Sequence, residues 1–281
     1  MRLGIAIPNH GRDAFTAIKE LPLVAEECGF ESLWLTDHLV GVAEYRSYGP
    51  FWAEALTSLA HIAARTSTIR LGVGVMVLPY RNPVYTTKVL TTIDHLSDGR
   101  LDVGVGVGWA RAEFDALGCA GNFASRGPLS NESLELMLAA WKGGPLAWQS
   151  TSYSFADVTI QPPPVQRPHP RMFVGGHSGR ALERAARFAD IWHPVNISAS
   201  EFSALGDRLD RLAGRRIPRS VRLRLQENEI SQLAEKIASF NEAGCELAVI
   251  ELQPSDRTTV QRNLERIGSH VPNYPDCKDI S

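Results

Sequence analysis

Short apolar stretches alternate with amphipathic stretches along almost the whole chain. Eight stretches are rich in Val, Ile and Leu, as buried strands are, and they lie at 3–7, 32–36, 69–77, 101–107, 172–175, 190–194, 221–225 and 247–252. Helical periodicity follows each of them, at 14–28, 51–65, 83–96, 128–142, 179–188, 199–213, 228–243 and 256–268. The pattern therefore predicts eight strand–helix units.

Nearly continuous apolar strands separated by helices are typical of a parallel sheet that is buried on both faces. Eight such units without a second set of elements favour a closed sheet, so we predict an α/β fold, a single (β/α)8 barrel domain over 1–281. Local signals agree with this. Gly29 and Gly244 fit left-handed positions after helices, and Pro83 and Pro128 fit first helical turns.

Two regions depart from the regular repeat. Arg222 and Arg224 alternate with leucines in the seventh apolar stretch, a pattern that suits a half-exposed strand better than a barrel strand. The segment 143–170 is rich in proline and lies outside the repeat, so we expect an external insertion there, with a small hairpin formed by 153–155 and 158–161.

Composition narrows the cellular setting. The chain of 281 residues has 29 Lys and Arg against 31 Asp and Glu, well interspersed, which argues against a nucleic-acid partner. Cys28, Cys119, Cys245 and Cys277 lie far apart, which favours reduced thiols over disulfides or a zinc site. The chain lacks a long apolar segment, and the first strand begins near the N-terminus. We expect a soluble, cytoplasmic protein with no membrane partner.

Histidines follow four of the apolar stretches directly, at His10, His38, His177 and His193. The carboxyl ends of barrel strands are where catalytic groups gather. The pair Asp37 and His38 is the best candidate, with His38 as a general acid or base. The alternative is a strand-end histidine that backbone carbonyls satisfy, beside a capping aspartate. His10 and His193 stand beside prolines, which suggests turn positions at the rim.

A glycine-rich turn separates the fifth apolar stretch from its helix. It reads Gly175, Gly176, His177, Ser178 and Gly179. Free amides at a helix N-terminus, with Ser178 as the N-cap, make an anion site to which a phosphate is suited. The same residues also fit a tight turn that needs glycine for positive φ. Both interpretations stay open at this point.

The glycines within the third and fourth strands do not form a dinucleotide loop. In G-x-G-x-x-G the third glycine would fall at Val77 or Arg111. Glycine inside a strand instead marks either the close approach of a flat ligand or close packing between small residues. These two explanations are equally simple from the sequence.

Residues that are missing exclude other chemistries. No lysine stands at a strand's carboxyl end, which argues against a Schiff-base aldolase, and there is no H-E-x-x-H or clustered histidine pair for a metal site. Glu251 and Asp37 are the nearest approach to a pair of glycosidase carboxylates. An apolar, glycine-lined pocket with an anion site fits flavin-type hydride chemistry better.

Several long blocks of the sequence resemble the bacterial luciferase-like monooxygenase family, in the branch that uses the deazaflavin coenzyme F420. The resemblance is carried by 32–39, 63–84, 91–118, 126–127, 134–141 and 162–192. It implies a (β/α)8 barrel with the cofactor at its carboxyl mouth, the ring against a bulge in the third strand and the phosphate on the glycine turn. It also implies a cis peptide between Gly74 and Val75.

The same resemblance implies a set of site residues. The matching cofactor contacts are Asp37, Gly74, Val75, Val77, Gly106, Gly175, Gly176, His177 and Ser178. His38 would face the reacting carbon. The implied activity is hydride transfer between F420 and a small organic molecule, with FMN as the alternative cofactor, and family members often form homodimers. The competing class is a non-catalytic barrel that binds a flavin or a phosphorylated metabolite.

The chain departs from the family pattern after its fourth strand. Sugar-phosphate dehydrogenases of the family have a catalytic glutamate there, whereas this chain has Trp109. That substitution argues against a sugar-phosphate substrate. Glu113 stands four residues further on, and we expect it to support the loop.

Overall fold

Eight parallel strands form the centre of the structure, a computed structural model that describes residues 1–43, 49–253 and 256–270. These eight are β1 Arg2–Ala6, β2 Ser32–Leu35, β3 Arg70–Val77, β4 Leu101–Gly106, β7 Arg171–Gly175, β8 Ile191–His193, β9 Ser220–Gln226 and β10 Leu247–Gln253, while β5 Pro145–Gln149 and β6 Ser154–Thr159 form a separate sheet. The large sheet has the order β8-β7-β4-β3-β2-β1-β10-β9. Parallel bridges from Trp192 to Arg219 and from Val195 to Arg222 join its two edges. The predicted (β/α)8 barrel is confirmed, nearly closed.

Helices surround this barrel. They are α1 Ala14–Glu27, α2 Ala55–Ala63, α3 Pro83–Leu96, α4 Arg111–Ala116, α5 Asn122–Trp141, α6 Gly179–Phe188, α7 Ala199–Ala213, α8 Leu233–Glu242 and α9 Arg257–Gly268, with 3-10 turns at Leu78–Tyr80 and Glu227–Gln232. The expected signals act at several ends: Asn82 caps α3 with Pro83 as its first residue, and Gly29 and Gly244 have positive φ. Within the described ranges, no helix has both the length and the apolar character needed to cross a bilayer.

Three predicted helix boundaries are wrong. Pro128 was expected in a first turn but lies inside α5, which begins six residues earlier at Asn122. Side-chain hydrogen bonds support the helix around the proline, from Ser130 Oγ to the Arg126 carbonyl (2.7 Å) and from Arg184 Nη2 to the Gly127 carbonyl (3.1 Å). The other two helices are shorter than predicted: α2 begins only after the Glu54 cap, and α8 after a 3-10 turn.

Strand β9, which contains the seventh apolar stretch of the sequence, is a full member of the barrel. β9 pairs with β10 along its whole length, and Arg224 lies opposite Glu251 in that ladder. The expectation of a half-exposed strand is wrong for Arg222, whose side chain is buried and bound to Glu251. An arginine is tolerated here because a carboxylate on the neighbouring strand neutralises it.

The insertion at 143–170 lies outside the barrel and contains a two-stranded antiparallel hairpin of β5 and β6. The predicted hairpin segments are wrong, because 154–155 and 158–159 lie on the single strand β6, whose partner is β5. The carboxylate of Asp94 fastens the end of the insertion to α3, since it accepts from the amides of Val165 (2.8 Å) and Gln166 (3.0 Å).

A tryptophan fills the barrel interior. Trp34 is fully buried, stacks on His193 with 5.1 Å between ring centroids, and meets Phe173 edge-on at 4.9 Å. A Cβ at Gly72 would overlap the Trp34 indole, and one at Gly74 would come within 2.9 Å of it. Of the two explanations for the strand glycines, close packing therefore accounts for these two.

Candidate cofactor and substrate site

Two adjoining cavities open at the carboxyl ends of the barrel strands. The smaller, about 190 Å³, is lined by Thr36, Asp37, His38, Gly74, Val75, Val77, Tyr80, Gly108, Trp109, Gly175, Gly176, His193, Val195, Arg222 and Arg224. The larger, about 800 Å³, runs over the start of α6 and is lined by Val75, Val105, Gly106, Val107, Gly108, Trp109, Ala124, Arg126, Gly127, Pro128, Asn131, Gly175, Gly176, Ser178, Arg180, Ala181, Glu183, Arg184, Arg187 and Phe188. The two cavities share a wall formed by Val75, Gly108, Trp109, Gly175 and Gly176.

The structure brings nearly all the residues predicted for the site together. The smaller cavity is lined by His38 and by the predicted contacts Asp37, Gly74, Val75, Val77, Gly175 and Gly176. The larger cavity adds Gly106 and Ser178. His177 has an exposed side chain and lines neither of these cavities.

The bulge in β3 lies at the boundary between the two cavities. The ladder between β3 and β4 shifts register between Val73 and Met76, and the Gly74–Val75 peptide is cis, as the resemblance implied. The Val75 side chain lies beside two glycines: a Cβ at Gly106 would come within 2.6 Å of it, and one at Gly175 within 3.0 Å. Both glycines therefore make room for this bulge.

His38 is held by a buried glutamate. Its Nδ1 lies 3.0 Å from Glu113 Oε2, which also accepts from the Tyr80 hydroxyl (2.8 Å), while Glu113 Oε1 accepts from the Leu39 amide (2.7 Å). Burial opposes ionisation of Glu113, but the hydrogen bonds from His38, Leu39 and Tyr80 outweigh it, so the pKa of Glu113 is lowered. The expected loop support is present, and the contact with His38 is additional.

Aromatic side chains surround His38. The Trp52 ring meets it edge-on with 4.7 Å between centroids, and the Trp109 ring lies at 6.4 Å in the same orientation. Trp109 is 57% exposed although it lines both cavities, which places a large apolar surface at the mouth. Such a wall suits a planar or apolar ligand.

Asp37 is engaged by the protein itself. Arg81 donates to both of its carboxylate oxygens at 2.6 Å, and the Val77 amide donates at 2.8 Å. Asp37 therefore ties the end of β2 to the segment after the bulge. Its part in cofactor binding stays a prediction.

His193 is buried rather than at the rim, so the expectation drawn from its proline neighbour is wrong. Its Nδ1 lies 2.8 Å from Ser220 Oγ, whose hydroxyl donates to the Trp192 carbonyl, so Nδ1 carries the proton. Burial, with a contribution from nearby Arg222, lowers the pKa of His193 to about 3. The neutral ring therefore has an unprotonated Nε2, which is buried and has no hydrogen-bond partner among the described residues.

His10 is also neutral. Burial is the largest influence and lowers the pKa of His10 to about 4, with the Glu251 carboxylate acting in the opposite direction. Its backbone forms an antiparallel bridge with Trp52, whose ring lies 5.0 Å from the imidazole. His10 thus packs beside the aromatic wall around His38.

Two arginines of β9 share one carboxylate. Glu251 Oε2 accepts from Arg222 Nε (2.6 Å) and from Arg224 Nε (3.1 Å). Arg222 also donates to the Gly74 carbonyl and to Thr36 Oγ1 (2.8 Å), which supports the bulge from within the barrel. Because arginines neutralise this glutamate and Asp37 separately, the two do not form a pair of hydrolytic carboxylates.

The larger cavity is basic. Its lining includes four arginines, Arg126, Arg180, Arg184 and Arg187, against one glutamate, Glu183. Arg187 pairs with Glu135 at 2.6 Å outside the lining, and Arg126 donates to the Phe123 carbonyl (2.7 Å). An excess of cationic side chains in the lining makes this cavity suited to an anion.

The start of α6 adds to that basic character. Ser178 caps the helix by accepting from the Ala181 amide (3.2 Å), and Gly176 has φ of 94°. The first amides of a helix lack intrahelical acceptors and carry positive partial charge. The interpretation as a turn that needs glycine for its backbone is therefore confirmed at Gly176. The turn also lines the basic cavity, and its binding of an anion stays a prediction.

Sequence reasoning missed the role of Arg222, which reaches the smaller cavity through the packing of separate units. No local pattern marks it as a site residue. For Glu113 a signal existed, namely an acidic residue in the first turn of a short helix directly after a strand's carboxyl end. Among the described residues, no group of three or more His, Cys, Asp or Glu side chains could hold a metal ion.

Comparison with known proteins gives a consistent family assignment. The family model described as luciferase-like monooxygenase matches residues 1–247. The FMNH(2)-dependent dimethylsulfone monooxygenase of Pseudomonas putida is 30% identical over 185 residues, which is 65% of this chain and 49% of that protein. The chain spans about half the length of several curated relatives that it matches.

Other similarities extend over nearly the whole chain. An uncharacterized protein of Mycobacterium tuberculosis is 28% identical over 265 residues, covering 88% of this chain and 91% of that protein. The structure of an F420-dependent secondary alcohol dehydrogenase, in complex with an F420-acetone adduct, superposes with a TM-score of 0.82 at 15% identity. It covers 96% of this chain and 98% of that one. At that identity the likeness shows a shared fold.

Proposed function

The chain belongs to the luciferase-like monooxygenase family, and from that premise we propose that it is an oxidoreductase which binds coenzyme F420 across the two cavities and acts on a small organic molecule. The deazaflavin ring would occupy the smaller cavity and its anionic tail the larger one. When bound, the reduced ring would supply a hydride to a carbon of the substrate, and the oxidised ring would accept one from it. The protein must handle the accompanying proton.

One observation carries the choice of F420, namely the size and charge of the larger cavity. Its volume is about 800 Å³, against about 190 Å³ for the smaller one, and four arginines line it. FMN ends in one phosphate group, whereas F420 continues into a longer tail with several negative charges. A long basic channel suits the second ligand better.

The larger cavity is lined by residues that suit an anionic tail. Arg126 and Arg180 are cationic, and Ser178 stands at the start of α6 in the same lining. Gly175 and Gly176 line both cavities, so the link between ring and tail would cross them. We retain the remaining predicted contacts, Asp37, Gly74, Val75, Val77, Gly106 and His177, as part of this proposal.

His38 is the residue that we assign to the proton. It lines the smaller cavity, an imidazole can exchange a proton near neutral pH, and Glu113 fixes its orientation. His193 and His10 are poor alternatives, since burial holds their pKa values at about 3 and about 4. A protonated form of either ring is therefore scarce at neutral pH.

FMN is the second candidate cofactor, and one finding favours it. The relative from Pseudomonas putida, at 30% identity, is named as FMNH(2)-dependent. The larger cavity would then hold only a phosphate, and oxygen would take part in the reaction. A cytoplasmic location and a homodimer stay predictions from the sequence.

Fluorescence titration of the apo protein with F420 and with FMN tests the cofactor proposal. We expect saturable quenching with F420 and binding at least about tenfold weaker with FMN. Selective binding of FMN would overturn the choice of F420. Protein that binds F420 but transfers no hydride to aldehydes, imines, ketones or enones would instead favour the non-catalytic binding barrel.

A further inference from the structure

Glu113 is a buried carboxylate that receives hydrogen bonds from separate parts of the barrel mouth. Its side chain is 0% exposed, although it lies on the short helix α4. One carboxylate oxygen accepts hydrogen bonds from His38 and Tyr80, and the other accepts one from the Leu39 amide. A buried charge is costly, so a carboxylate held in this way has a specific use in the structure.

The ionised state of Glu113 fixes which nitrogen of His38 carries a proton. An ionised carboxylate accepts hydrogen bonds and has no proton to donate. The 3.0 Å contact therefore requires the proton on Nδ1 of His38. A neutral imidazole has one ring proton, so its Nε2 is left unprotonated and able to accept one.

We propose that Glu113 is a positioning residue for His38, which it holds in the Nδ1–H tautomer so that Nε2 exchanges the proton with the substrate. Tyr80 and the Leu39 amide hold the carboxylate in place for this purpose. The inference rests on the proposed proton role of His38. A carboxylate that orients a catalytic imidazole and fixes its tautomer is an established device in enzymes.

A purely structural role is the competing explanation. The Glu113 carboxylate also accepts from the amides of Leu39 (2.7 Å) and Val40 (3.4 Å), so it ties the segment after β2 to α4. Loss of either role could lower stability and activity together. The two explanations differ in what they require of the ring proton of His38.

Nitrogen NMR of histidine-labelled protein reads that proton directly and needs no cofactor. The apo full-length chain is used at a pH where the imidazole is neutral, and a His38→Gln variant assigns the signals. We expect Nδ1 of His38 to show the shift of a protonated nitrogen and Nε2 that of an unprotonated one. The opposite tautomer in the unmodified protein would overturn the proposal.

Two variants of Glu113 separate positioning from anchoring. Glu113→Leu removes the acceptor, so the proton should redistribute between the two nitrogens, whereas Glu113→Gln keeps an amide oxygen and should retain part of the original tautomer. Tyr80→Phe is the matched control, since it removes one donor to the same carboxylate and should leave the tautomer of His38 unchanged. An unchanged tautomer in a folded Glu113→Leu protein leaves only the anchoring role.

Kinetics with the loaded enzyme supply a second readout. Glu113→Leu should lower kcat by about 100-fold, and Glu113→Gln by less, while the dissociation constant of the cofactor stays within about twofold in both variants. If neither F420 nor FMN binds, the proposed function is wrong, but the result on the tautomer of His38 is unaffected. A fixed tautomer together with an unchanged kcat in Glu113→Leu would overturn the positioning role alone.

Discussion

Arg81 donates two hydrogen bonds of 2.6 Å each to the buried carboxylate of Asp37. Asp37 follows the end of β2 and stands beside His38, and Arg81 follows the 3-10 turn after β3. The ion pair therefore connects the ends of two neighbouring strands. Burial lowers the pKa of Arg81, but attraction to and hydrogen bonds with Asp37 and Glu54 together outweigh it, so the pKa is raised. The mouth of the barrel therefore depends on an ion pair that is largely shielded from water.

Replacing Asp37 by Asn should destabilise the protein by about 3 kcal/mol, because it leaves the guanidinium of Arg81 buried without its countercharge. Urea unfolding at neutral pH measures this. Glu54→Gln is the control: Glu54 lies 3.4 Å from the same arginine and its side chain is 38% exposed. That change should cost less than about 1 kcal/mol. Equal losses in the two variants would contradict the importance of the buried pair.

Gly104→Ala should destabilise the protein by about 2 to 3 kcal/mol, since a Cβ there would overlap the backbone carbonyl oxygen of Val73. Backbone in the middle of a sheet cannot move aside as a flexible side chain can. Gly121→Ala is the matched control, because nothing lies within 4 Å of the position of its Cβ. Thermal unfolding of the two variants compares them. A Gly104→Ala protein as stable as the control would show that β3 and β4 separate easily.

The alternation of strands and helices predicted the barrel correctly because each unit carries its own local signal. A buried strand is apolar, a helix repeats its apolar face, and caps such as Asn82 mark the boundary. Pro128 shows the limit of such signals. It lies inside α5, where Arg184 from another helix donates to the neighbouring Gly127 carbonyl, and no local pattern reveals that contact.

The site was predictable where it lies at strand ends and in the glycine turn, as at His38 and Ser178. It was not predictable where burial decides chemistry. Arg222 appeared in the sequence as a half-exposed residue, and only the opposing Glu251 on β10 explains why it is buried. His193 is likewise neutral because it is buried, with Arg222 nearby, and its Nδ1 bonds to Ser220, 27 positions away in the chain.

Arg126→Gln should weaken cofactor binding by about tenfold, equivalent to about 1.4 kcal/mol, because one of the four cationic side chains that line the larger cavity is lost. Fluorescence titration with F420 at low and high salt measures it, and the variant should show a weaker salt dependence. Arg65, exposed at the end of α2, supplies the control variant Arg65→Gln. Identical affinities for all three proteins would remove Arg126 from the tail site.

His38→Ala should lower turnover by about 100-fold or more and leave the affinity for the cofactor within about twofold, since the ring is assigned to the proton rather than to binding. Steady-state kinetics and cofactor titration are needed on the same preparation. The exposed His61 on α2 provides the control His61→Ala. Turnover that survives in His38→Ala would assign the proton to another group.

The protein should lose stability as the pH falls from about 6.5 toward 5, because of its buried neutral histidines. The pKa of His193 is about 3 in the folded protein against 6.5 ordinarily, and that of His10 is about 4. In this pH range the two histidines therefore bind protons in the unfolded chain but stay neutral in the folded protein. Unfolding is favoured as the pH falls. For His193 the loss at pH 5 is about 2 kcal/mol, and His10 adds to it with the same sign.

Carboxylates do not explain a loss of stability between about pH 6.5 and pH 5. The pKa values of Glu113 and Glu251 are lowered from 4.5, so their contribution to stability persists until the pH falls below about 4.5. Urea unfolding at pH 7 and pH 5 should therefore show a smaller difference in His193→Gln than in the unmodified protein, whatever the stability of the variant at pH 7. The exposed-site variant His61→Gln should keep the original difference. A difference that is the same in His193→Gln would mean that His193 is protonated in the folded protein, and its Nε2 would then be a donor rather than an acceptor.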